Sequence, residues 1–153
     1  MPNERANRIR RIKLIEVEYL ATRFSMSRLL ADMTRDSTIL QPVSPVKPRD
    51  VRGAALRLES TFIVRVFAEF ETSLRFHWSS TRPTDPPYRT QDLINGVAAR
   101  NRIAERTKEN AHIVRCYRNN LLHLDSDPVQ ESLDITDTRQ YLCQFLSFLP
   151  RDW

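Results

Sequence analysis

Apolar residues recur at three- and four-residue intervals along most of this chain, and two proline clusters cut the pattern into long helical pieces. Ile12, Ile15, Tyr19, Met26, Leu30 and Met33 fall on one face of a helix running over about residues 4–35. Pro42, Pro45 and Pro48 end that run in a loop. A second helix is expected over about residues 50–78. It carries Val51, Ala55, Leu58, Phe62 and Val66 on one face, and Ile63, Phe67, Phe70 and Leu74 on another. A helix that is apolar around so much of its circumference belongs at the centre of a fold. A loop with Pro83, Pro86 and Pro87 comes next, and Thr90 or Thr107 is placed to cap a helix beyond it.

Three further helices are expected over about residues 91–104, 108–124 and 136–149, the last capped by Thr136. Ile113, Tyr117, Leu121 and Leu124 supply the core stripe of the fourth, and Leu142, Phe145, Leu146 and Leu149 that of the fifth. Two glycines are few for β-rich turns, while stretches rich in Arg, Leu, Glu and Ala favour helix. The expectation is an all-α fold. Residues 1–153 form a single domain, an up-and-down four-helix bundle with an additional short helix.

The net charge of +5 suits a polyanionic partner such as nucleic acid, although the same excess also keeps a protein soluble. Its distribution is uneven. Residues 1–35 carry eight basic and four acidic side chains, residues 100–123 six against two, and residues 124–153 two against six. If the first helix and the fourth lie side by side, they flank a basic groove. Cys116 and Cys143 lack metal-ligand spacing and read as buried thiols in a reducing cytoplasm. No metal or cofactor site is expected. The basic N-terminus has no signal-peptide core, and the most apolar run, residues 141–149, is too short to span a bilayer.

The chemistry concentrates at Arg118-Asn119-Asn120-Leu121-Leu122-His123, which closes the fourth helix ahead of Ser126-Asp127-Pro128. Asn119 and His123 are four apart and share a face, and Arg115 lies on the same stripe with His112 close by. Only a long, bending arginine lets Arg118 converge with His123 on one small anion.

This segment resembles the signature of the HEPN superfamily, an arginine, a polar residue, and a histidine after four to six intervening positions. The spacing from Arg106 to His112 matches the bare pattern too, without the amide after the arginine. The resemblance implies an all-α, often dimeric protein, and many members are metal-independent ribonucleases. It assigns catalysis to Arg118, Asn119 and His123, with RNA as substrate and 2′,3′-cyclic phosphate and 5′-hydroxyl products. It further implies a homodimer, a setting in toxin, phage-defence or stress response, and an antitoxin or other regulatory protein as partner. One toxin subgroup carries a modified tyrosine two residues after the motif histidine, where this chain has Asp125. The alternative is a HEPN-like module without catalysis that binds nucleotides or a protein.

Supporting roles are expected of Glu69, Arg115 and His112. Glu69 follows Phe62 by seven residues and projects along an apolar stripe, where an unpaired carboxylate is costly. It pairs with Arg65, stays partly exposed, or reaches across the bundle to hold Arg118. Glu71 lies further round and reads as solvated. His77 is expected to close the second helix.

Overall fold

The computed structural model describes residues 3–123 and 132–153. Leu124, Asp125 and the Ser126–Pro128 turn lie outside them. Five α-helices make up the fold: α1 (Glu4–Arg35), α2 (Pro48–Thr81), α3 (Thr90–Arg100), α4 (Glu105–Leu122) and α5 (Ile135–Ser147). Among the described residues there is no strand.

α2 is the axis of the molecule, as its two apolar faces require. It spans 34 residues, about 50 Å at the usual rise, and packs against each of the other four helices. One face meets α1, where the Tyr19 and Phe62 rings meet at a 59° tilt with centroids 5.7 Å apart. The other buries Phe67, Phe70 and Leu74, and Phe70 meets Phe145 of α5 edge-on at 5.3 Å. Pro48 opens the helix at a position where its missing N–H costs nothing, and Asp50 accepts a hydrogen bond from the Lys47 N–H at 2.9 Å.

α2 and α5 each pack against both α1 and α4, while α1 and α4 are not neighbours. The basic groove expected between those two helices is therefore not formed. Their charges are separated by the apolar seam that α2 and α5 bury.

Local chemistry corrects several boundaries. Arg89 precedes α3 as its N-cap without a side-chain bond, and Thr90 begins the helix instead. The chain breaks between α3 and α4 with Arg102 in left-handed conformation (φ 51°) and the Ile103 N–H on the Ala98 carbonyl. Thr107 is buried inside α4 and caps nothing. Asp134, not Thr136, caps α5 by accepting from the Asp137 N–H at 2.7 Å, while the Thr136 hydroxyl donates to Glu16. The buried stripe of α4 runs through Thr107, Ala111 and Val114, with Tyr117 and Leu121 against the core, and Ile113 faces outward. Cys116 is exposed rather than buried. Cys143 is half-buried, and that burial pushes its thiol up to about 11.

Glu69 faces α1, as its repeat with Phe62 dictates. Arg8 and Arg11 lie 3.6 and 3.9 Å from its carboxylate. Arg65 is engaged elsewhere, with Glu18 at 2.7 Å. Glu69 therefore neither pairs with Arg65 nor holds Arg118. Among the described residues no helix is long and apolar enough to cross a membrane.

Candidate functional site

Where α2, the start of α3 and α4 converge, a solvent-open cavity of about 500 Å³ forms. α4 contributes Arg115, Arg118 and Asn119, which the helical repeat puts on one side. α2 contributes Glu71 and Arg75, one turn apart. The second proline loop and the first turn of α3 add Tyr88, Arg89, Thr90 and Gln91. Four arginines and one carboxylate thus line the cavity, which leaves it with an excess of positive charge.

Glu71 organises that charge. One oxygen accepts from Arg75 Nη2 at 2.7 Å, Arg75 Nε at 3.2 Å and the Thr90 hydroxyl at 2.9 Å. The other accepts from Arg118 Nη2 at 3.3 Å. A single side chain therefore ties α2 to the start of α3 and to α4. Glu71 is only 21% exposed, so the expectation that it is solvated is overturned. Its partners, not its distance from the apolar stripe, decide its burial.

Arg118 is fixed from two sides. Besides Glu71, its guanidinium carbon stands 4.6 Å from the centre of the Phe67 ring, which is fully buried. Phe67 and Glu71 are four residues apart on α2, so one helical turn supplies both the ring and the carboxylate that hold the arginine. One of the five N–H donors of Arg118 goes to Glu71, and the side chain lines the cavity.

His112 stands behind Arg115. Its Nε2 lies 2.8 Å from Asn95 Oδ1, and its Nδ1 accepts from Arg115 Nε at 3.4 Å. Both contacts suit a neutral ring with the proton on Nε2. Burial, then the charges of Arg115 and Lys108, push His112 below its ordinary titration range, which favours that form. The other arginine that matched the bare pattern, Arg106, is exposed in the first turn of α4 and does not line the cavity.

His123 departs from its expected place. α4 ends at Leu122, and His123 is the C-cap with an extended backbone (φ −115°, ψ 97°). The helical repeat that puts Asn119 and His123 on one face stops one residue short of the histidine. His123 is exposed and lies outside the cavity lining, yet its N–H donates to the Asn119 carbonyl at 3.0 Å.

The structure thus brings together Arg115, Arg118 and Asn119, sets His112 behind them and His123 beside them, and leaves Glu69 on the far side of α2. Glu71, Arg75, Tyr88 and Arg89 were missed by sequence reasoning. The four-residue spacings from Phe67 to Glu71 and from Glu71 to Arg75 were the available signal. Among the described residues, no group of three or more His, Cys, Asp or Glu side chains is placed to hold a metal ion. No family model matches the chain, and none of the curated proteins or solved structures compared with it does either.

Proposed function

We propose that the chain is a metal-independent endoribonuclease of HEPN type that grips a phosphodiester in the arginine-lined cavity. The observation that carries this reading is the fixed Arg118, held by Glu71 and Phe67 beside Asn119, with His123 tied by its N–H to Asn119. RNA supplies its own nucleophile. The 2′-oxygen attacks the adjacent phosphorus, the P–O5′ bond breaks, and the products are a 2′,3′-cyclic phosphate and a 5′-hydroxyl. Arg118 and Arg115 stabilise the extra negative charge on the phosphorane. His123 exchanges the proton, taking it from the 2′-hydroxyl or returning one to the 5′-oxygen.

One histidine serves one of those two roles, and a second copy of the chain supplies the other. Leu122, apolar and exposed at the end of α4 next to His123, offers surface for such a pairing. A setting in toxin, phage-defence or stress response, with an antitoxin or other regulatory protein, belongs to the same reading.

A second reading has its own observation. His123 is outside the cavity lining, so the site also suits a non-catalytic module that binds nucleotides through its arginines. The deciding experiment is incubation of single-stranded RNA and transfer RNA in EDTA with wild type, Arg118→Ala and His123→Ala. Cleavage by wild type alone supports the enzyme. Binding without cleavage by a folded wild type moves the conclusion to the module, and equal cleavage by all three discards the site.

A further inference from the structure

Tyr88 combines a free-standing ring with a fixed backbone at the rim of the arginine-lined cavity. Its side chain is almost wholly in water, with the residue 95% exposed, while its backbone is pinned. Arg75 Nη2 donates to the Tyr88 carbonyl at 3.1 Å, and Arg75 Nη1 donates to the Pro87 carbonyl at 3.0 Å. Pro86 and Pro87 restrict the chain just before it. Thr90, two residues later, bonds to Glu71, which also holds Arg75 and Arg118. The loop is thereby fastened to the same carboxylate that sets the phosphate-facing arginine. Isolated exposed apolar residues are ordinary on protein surfaces. This one stands on the rim of a cavity lined by guanidiniums, with its backbone already ordered.

We infer that Tyr88 is a stacking platform for an unpaired base, so that the cavity takes single-stranded RNA with a phosphate on Arg115 and Arg118 and the neighbouring base on the phenol ring. The inference rests on the anion-binding part of the function proposed above and adds the strand form of the substrate. An aromatic face accepts any base, whereas phosphate contacts alone do not distinguish a nucleotide from another polyanion. In a duplex the bases are already stacked and paired, so a base reaches the ring only after unstacking. A backbone held before binding removes part of the ordering cost that a mobile aromatic loop carries.

The test uses the whole 153-residue chain with His123→Ala, so that no probe is consumed, in EDTA. A fluorescein-labelled single-stranded oligouridine, an RNA duplex of the same length, and inorganic pyrophosphate are titrated against this parent and against Tyr88→Ala and Tyr88→Phe made in it. Tyr88→Ala is expected to weaken the single strand about tenfold and to leave pyrophosphate unchanged. Tyr88→Phe keeps both affinities, and the parent prefers single strand to duplex. Unaltered oligouridine affinity in Tyr88→Ala overturns the inference while leaving the anion site intact. So does a parallel loss of oligouridine and pyrophosphate, which means the loop itself has moved, and so does equal affinity for duplex and single strand. A folded parent that binds neither pyrophosphate nor RNA removes the underlying functional reading, and the inference falls with it.

Discussion

The Glu71 carboxylate and the Arg118 guanidinium meet at 3.3 Å across the α2–α4 contact, each about four-fifths buried. The same carboxylate holds Arg75 and Thr90, so one ionised group sets the geometry of three elements. Its replacement has two separable effects. Glu71→Gln keeps the shape but turns one oxygen into an N–H₂ facing a guanidinium, and stability is expected to fall by about 1–3 kcal/mol in urea unfolding. Loss of a negative charge leaves pyrophosphate affinity equal or higher, whereas an unpinned Arg118 lowers the rate of RNA cleavage on the order of tenfold to a hundredfold. A purely electrostatic role for Glu71 moves binding and rate in the same direction, and steady-state kinetics beside pyrophosphate titration separate the two cases.

Arg118 itself distinguishes charge from geometry. Arg118→Lys retains a cation but loses the planar fork that lines the cavity and lies over Phe67. Binding of oligouridine is expected to change little, while the cleavage rate drops about 10²–10³-fold, the usual effect of removing a preorganised donor. Arg118→Ala loses both, and the slope of log affinity against log salt becomes shallower by about one. Equal cleavage by wild type and Arg118→Lys would sink the assignment of Arg118 to transition-state stabilisation.

Helix spacing made much of this fold legible, and the limits of spacing explain what stayed hidden. The faces of α1 and α2 could be read because 3.6-residue periodicity is a property of the backbone, and Ile12, Tyr19, Phe62 and Phe67 are buried as it requires. Periodicity gives the angle at which a side chain leaves its helix but not the neighbour it meets. That is why the alignment of Glu69 with Phe62 leaves an Arg65 pair, partial exposure and a reach to Arg118 all open. In the fold Glu69 is partly exposed and faces Arg8 and Arg11 of α1. Glu71 emerges about 200° further round, toward α4, and meets the motif arginine. His123 was misplaced for a different reason. The backbone leaves helical geometry at His123 itself, so the helical repeat no longer sets the direction of its side chain. Arg89 and Tyr88 were invisible because loop residues have no period at all.

The close approach of α2 and α3 gives a further prediction, remote from the cavity yet connected to it. A Cβ on Gly96 falls 2.7 Å from Trp78 Cζ3, closer than side-chain carbons pack. Trp78 cannot simply swing aside. Its Nε1 donates to the Thr84 carbonyl at 3.1 Å, and the Arg82 guanidinium lies over its ring at 3.9 Å. Gly96→Ala is therefore expected to cost about 1–3 kcal/mol in chemical denaturation, despite the better helix propensity of alanine. If α3 shifts to relieve the contact, Thr90 is drawn from Glu71 and cleavage falls as well. An unchanged unfolding midpoint in Gly96→Ala would show that the two helices slide apart freely.

Stability should also depend on pH through His77. Its ring is buried edge-on against Trp153 at 4.9 Å, Nδ1 has no hydrogen-bond partner among the described residues, and Asn101 lies 3.4 Å from Nε2. Burial above all, then the charges of Arg100 and Arg82, push its titration below the ordinary value near 6.5. The folded protein therefore keeps His77 neutral while the unfolded chain protonates it, so the unfolded state binds more protons as pH falls. Stability is complete above about pH 6.5 and declines as the pH drops from there toward the folded-state value, by at most about 1.4 kcal/mol per pH unit for this group. His112 shifts in the same direction and adds to the slope. Urea unfolding between about pH 7.5 and about pH 5.5 is expected to show this decline in wild type and a shallower one in His77→Phe, which preserves the ring against Trp153. Identical slopes in the two proteins would mean that His77 charges in the folded state as readily as in the unfolded chain.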